Sequence, residues 1–144
     1  MSQHYSIIVG SMLGASEYVA EALEAEITAK GDTCELHFDP KLSDINKAST
    51  WIVCTSTHGA GELPDNIQPF ANELQSTDLS DTKSYVIGLG DTSYDTFCHG
   101  ALSMASILKA QGATLLSEPH LIDVLNHPIP EENAVEWFKD TIVA

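Results

Sequence analysis

The amino-acid sequence predicts an α/β protein: a doubly wound five-stranded parallel sheet with helices on both faces. Two observations carry this expectation. Nearly continuous apolar runs alternate with segments of helical period, as in a parallel sheet covered on both sides. Glycine-rich loops follow the first, third and fourth of those runs, at the strand ends where such sheets hold ligands.

The elements follow in order. The run from Tyr5 to Val9 is a first strand. A helix from Ser16 to Lys30 carries Val19, Ala20, Leu23 and Ile27 on one stripe, and Gly31 ends it. Thr33 to Phe38 alternates as a second strand, and Thr50 to Thr55 is a largely apolar third. A short helix from Ile67 to Leu74 precedes a fourth strand from Ser84 to Leu89. Ala101 to Ala110 is a helix stopped by Gly112, with Leu102, Ala105, Ile107 and Leu108 as its apolar residues. A fifth strand begins at Thr114 to Leu116 and is interrupted before Leu121 and Ile122. Pro130 opens a last helix that runs through Trp137, Phe138 and Ile142.

A chain of 144 residues fits one domain, residues 1–144, and shows no repeat or linker. No apolar run approaches the roughly 20 residues that span a membrane, and the N-terminus lacks a signal-peptide pattern. Cys34, Cys54 and Cys98 form no Cys-x-x-Cys pair. Cys34 and Cys54 fall in strand runs and read as buried thiols, which suits a cytoplasmic protein. Twenty-one acidic residues against six basic ones leave a formal charge of −15. That balance argues against nucleic acid and anionic lipid as partners. It serves solubility, docking onto a basic partner, or both.

Three loops carry the chemistry. Gly10-Ser11-Met12-Leu13-Gly14-Ala15-Ser16 feeds a strand into a helix N-terminus, where free N–H groups and the helix dipole attract an anion such as phosphate. Ser11 and Ser16 add hydroxyl donors. No Lys follows the second glycine, so this is not a Walker loop, and the three-glycine dinucleotide fingerprint is missing. Taken alone, it is equally an ordinary capped helix. The second loop, Ser56-Thr57-His58-Gly59-Ala60-Gly61-Glu62, lets backbone approach a ligand closely at its glycines. His58 is either a stacking ring or a solvated loop histidine, and no second histidine at ligand spacing supports a metal. The third loop, from Gly88 to Gly100, presents Tyr94. Together the three suit a mononucleotide, with its phosphate on the first and its flat ring between the other two.

In this order and spacing the loops resemble those of the flavodoxin family, whose members bind flavin mononucleotide (FMN) non-covalently. Ser-Thr-His-Gly-Ala-Gly-Glu-Leu-Pro-Asp-Asn, from Ser56 to Asn66, resembles the ring-binding loop of the diflavin reductases. Gly-Leu-Gly-Asp-Thr-Ser-Tyr-Asp-Thr-Phe-Cys, from Gly88 to Cys98, resembles that of the FMN domain of sulfite reductase flavoprotein. As a short chain, the whole is similar to the MioC-type flavodoxins. The resemblance implies a flavodoxin-like fold and FMN as cofactor. It sets Ser11, Met12, Leu13, Gly14, Ala15 and Ser16 around the phosphate, with contacts from Ser11, Gly14, Ala15 and Ser16. It runs Thr57, His58, Gly59, Ala60 and Gly61 along one ring edge and Gly90, Asp91 and the stretch to Asp95 along another. Tyr94 stacks on the ring, and Phe97 and Cys98 complete the set. Two positions depart from the pattern. Leu13 replaces a common threonine, removing one phosphate hydroxyl, and His58 replaces a tyrosine common in diflavin reductases.

The implied function is that of a one-electron carrier. It would take low-potential electrons from an NADPH-dependent flavodoxin reductase and pass them to a metabolic acceptor enzyme with a basic docking surface, acting as a monomer. The sequence offers no general base, nucleophile or metal site for turning over a substrate. A flavodoxin-like quinone or nitro-compound reductase would need an inserted segment to wall a pocket, and none is obvious. A regulatory module that binds FMN without using it is a further alternative. A signalling receiver needs an acidic pair after strand one and an aspartate after strand three, where this chain has Gly10-Ser11 and Thr55-Ser56.

Overall fold

The computed structural model describes residues 3–11, 14–57 and 61–143. Strands and helices alternate as β1 (His4–Gly10), α1 (Ala15–Ala29), β2 (Thr33–His37), β3 (Thr50–Ser56), α2 (Gln68–Leu74), β4 (Lys83–Gly90), α3 (His99–Ala110), β5 (Thr114–Leu115), β6 (His120–Asp123) and α4 (Pro130–Phe138). Every strand pairing is parallel, and the order across the sheet is β2-β1-β3-β4-β5, with β6 also on β4. This is the doubly wound arrangement the alternation predicts. Successive connections leave β1 in opposite directions, so the switch point lies between β1 and β3, where Gly10 sits beside Thr55.

Side-chain alternation along the strands builds two cores. On β1, Tyr5, Ile7 and Val9 join Val19, Leu23 and Ile27 of α1 and Phe138 of α4. Ile8 points the other way, into the layer with Trp51, Phe70 and Leu74 of α2, and Met104 and Leu108 of α3. Helices therefore cover both faces, and the carboxyl edge of the sheet is left for loops.

The fifth strand is in two pieces for a reason visible in the register. Along β4 the partners advance three residues, from Ser84 to Ile87, while the fifth strand uses five, from Leu115 to His120. The surplus leaves the ladder in a stretch that contains Pro119, which has no N–H to give. The last helix also departs from the expected form. Beyond Phe138 it widens into a π-helical turn, Lys139–Val143. A turn of 3-10 helix at Leu42–Asp44 is too short to leave a period in the sequence. Cys34 corrects one expectation: β2 is an edge strand, so this thiol is only half-buried, whereas Cys54 and Cys98 are enclosed.

Candidate cofactor site

The site is built from loops leaving the carboxyl ends of β1, β3, β4 and β6. In the first loop, Gly14 takes a left-handed conformation (φ 90°) as the N-cap of α1, with no side-chain cap on the helix. Only glycine adopts that geometry freely, and the first amides of the helix are left pointing outward. Ser11 Oγ accepts the Gly14 N–H at 2.8 Å. The hydroxyl proton of Ser11 thus stays available to an anion. Ser16 is fully buried, and its Oγ is a buried hydroxyl oxygen without a hydrogen-bond partner among the described residues. An orphaned polar atom of this kind beside a helix N-terminus fits a phosphate oxygen as its partner. Met12 and Leu13 lie outside the described residues.

The two ring loops touch each other. Gly61 has φ 105°, and a Cβ there would stand 3.2 Å from His99 Nδ1 and 3.4 Å from Thr96 Cγ2. Thr57 Oγ1 accepts the Gly100 N–H at 2.9 Å, tying the end of β3 to the start of α3. His58, Gly59 and Ala60 lie outside the described residues. The third loop is a series of turns held from within. Asp91 Oδ1 accepts the Ser93 N–H at 2.8 Å, and the Asp91 carbonyl accepts the Tyr94 N–H at 3.1 Å. The Tyr94 side chain stands 66% exposed on this scaffold, an available face for a planar ligand. Cys98 closes the loop in the left-handed region (φ 54°) as the N-cap of α3. Its thiol is buried, and burial pushes it up to about 12, so Cys98 can offer a ligand only backbone. Gly90 is required by packing, since a Cβ there would meet Cys98 N at 2.9 Å and Phe97 Cδ1 at 3.0 Å. Its carbonyl already accepts the Val124 N–H at 2.8 Å, so the ring-edge contact expected of Gly90 cannot be a free carbonyl.

Two side chains fix these loops that the sequence does not single out. Asn66 accepts the Ser11 N–H at 3.0 Å and donates to the carbonyls of Val9 and Phe38 at 2.8 and 3.0 Å. Asp123, at the end of β6, accepts the Thr92 hydroxyl at 2.6 Å, the Leu125 N–H at 3.0 Å and the Asn126 side-chain amide at 3.1 Å. The Thr92 hydroxyl, with the backbone amides of Leu125 and Thr92, holds its carboxyl below the usual carboxylate range, against the opposing effect of burial. Only the place of Asn66 at the end of the Ser56–Asn66 motif could have marked it. Nothing marks Asp123.

The Flavodoxin family model matches residues 7–138. The chain belongs to the flavodoxin family. Flavodoxins are FMN-binding carriers that transfer electrons to partner proteins. This flavodoxin is 45% identical over 141 residues to the "Protein MioC homolog" of Haemophilus influenzae, covering 96% of this chain and 97% of that one. It is 37% identical over 142 residues to the sulfite reductase flavoprotein alpha-component of Aliivibrio fischeri, covering 95% of this chain and 23% of that one. Its fold superposes on a C101A mutant of flavodoxin from Pseudomonas aeruginosa with a TM-score of 0.88, at 29% identity, covering 96% and 95% of the two chains.

The flavodoxin's described residues suit FMN by their chemistry. The Ser11 hydroxyl, the orphaned Ser16 Oγ and the first amides of α1 are neutral groups of the kind that donate to a phosphate, and no Lys or Arg precedes Lys30. Glu62, Asp65 and Asp95 are exposed on the ring loops, again with no Lys or Arg among residues 56–66 or 90–98. No Lys or Arg lies in any of the three loops, and Glu17 adds a carboxylate to the first turn of α1. No helix of the described residues is long and apolar enough to cross a membrane.

Proposed function

We propose that this chain binds one FMN at the carboxyl edge of its sheet and serves as a one-electron carrier between proteins. The observation that carries this reading is that one sheet edge carries both an anion-ready loop, with its unpartnered Ser16 Oγ, and an exposed Tyr94 on a loop braced against Gly61. Ser11, Gly14, Ala15 and Ser16 bind the phosphate. Tyr94 covers one face of the ring, while the backbone of residues 57–61 and 90–95 lines its edges. When bound, the flavin supplies stepwise electron transfer, and the protein orients it and tunes its energy. The donor is an NADPH-dependent flavodoxin reductase and the acceptor a metabolic enzyme with a basic docking surface, both in the cytoplasm.

An anaerobic assay with reconstituted protein separates this reading from a quinone or nitro-compound reductase. With NADPH alone the bound flavin should stay oxidised, and catalytic amounts of a flavodoxin reductase should reduce it. Direct NADPH oxidation coupled to quinone turnover, with no reductase added, would overturn the carrier assignment.

A further inference from the structure

We propose that Asn66 is a positioning residue that holds the phosphate loop in its binding shape from the ring side of the site. This rests on the FMN reading above and adds a role for a residue outside the expected contact set.

The Asn66 side chain spends three of its hydrogen-bonding positions on three separate pieces of chain. Its Oδ1 accepts from Ser11, the first residue of the phosphate loop. Its Nδ2 donates to Val9, near the end of β1, and to Phe38, just past β2. Only one amide orientation satisfies this set, because a flipped amide would turn its oxygen toward two carbonyls. The hold continues inward: Ser11 Oγ accepts the Gly14 N–H, and Gly14 begins α1 with the left-handed turn that exposes the helix amides. One path of hydrogen bonds therefore runs from Asn66 through Ser11 to the N-cap. Asn66 also ends the second loop and immediately precedes Ile67, the N-cap of α2. It is anchored to a different helix from the one whose amides it helps to aim.

Two consequences distinguish positioning from general stability. Loss of Asn66 should weaken the ligand that carries a phosphate far more than the same ring without one. It should also loosen the Ser11 amide in protein that holds no flavin at all.

The test uses the full-length chain stripped of flavin, as wild type, Asn66→Ala and Asn66→Asp. The aspartate keeps the size and the acceptor but loses both donors and sets a carboxylate against the Val9 and Phe38 carbonyls. FMN and riboflavin are titrated by fluorescence, and amide exchange at Ser11 is followed by NMR against amides in β3. The FMN dissociation constant should rise about tenfold or more in both variants, and that for riboflavin by less than about threefold, the scale expected when a half-buried hydrogen-bonded partner is removed. In Asn66→Ala, which removes the acceptor, Ser11 exchange should quicken while β3 stays protected. Equal losses for FMN and riboflavin, an unchanged FMN affinity, or Ser11 exchange in Asn66→Ala equal to wild type would overturn the proposal. If wild type binds no FMN, the carrier reading fails, and Ser11 exchange still decides whether Asn66 holds the loop. Should Asn66→Ala not fold, Asn66→Ser serves in its place.

Discussion

Tyr94 shows how a single side chain can be freed for a ligand. Its backbone is fixed by the Asp91 turn, while two-thirds of its surface is open. The ring therefore needs little reorganisation to receive a flat partner. Aromatic stacking contributes about 0.5–1.5 kcal/mol beyond buried area. Tyr94→Ala should accordingly raise the FMN dissociation constant roughly 2–10-fold in a fluorescence titration, with an unchanged far-ultraviolet circular dichroism spectrum. An unchanged constant would make the tyrosine decoration. Ser16 is the contrasting case. Read as a hydroxyl donor of the loop, it proves fully buried, and its position explains why: it lies three and four residues before Val19 and Ala20, on the stripe that α1 turns inward. Its Oγ is buried with no hydrogen-bond partner among the described residues.

At the scale of elements, Asn66 and Asp123 each tie together stretches of chain at the carboxyl edge that are distant in sequence. Asp123 joins the β4–α3 loop to the segment after β6, and its charge matters to that joint. Because its folded pKa lies below the ordinary value near 3.9, the stabilisation it gives is complete above that value and is lost as pH falls through the folded one. Protection factors of the Thr92 and Leu125 amides should therefore be flat from neutral pH down to about pH 4 and collapse below it. Asp123→Asn should lower them already at pH 7 and flatten the acid limb. An acid profile equal to wild type would mean the carboxylate is not the anchor. The strands were legible in the sequence as apolar runs and the helices by their period, and the glycines and Tyr94 marked the loops. Asn66 and Asp123 were not legible. Each is one residue without a period, and its partners come from distant stretches of chain: Asn66 reaches Val9, Ser11 and Phe38, and Asp123 reaches Thr92. Likewise, the packing that spends the Gly90 carbonyl on Val124 appears only when the sheet is assembled.

Over the whole molecule the charge of −15 sets the terms of encounter. Exposed acidic side chains lie at the edge where the flavin would lie, so a partner with a basic surface would be drawn toward that side. Reduction by the reductase should slow as salt rises, since screening shortens to about 8 Å at physiological ionic strength. A rate independent of salt would leave solubility as the purpose of the charge. All of this depends on one claim, that three loops at the carboxyl edge form a site for FMN. The most direct measurement is a titration of purified, flavin-free chain with FMN and with riboflavin, followed by absorbance and fluorescence. The account predicts one FMN per chain, a structured flavin spectrum, quenched fluorescence and weaker binding of riboflavin. Failure to retain FMN, or riboflavin bound as tightly, would contradict it.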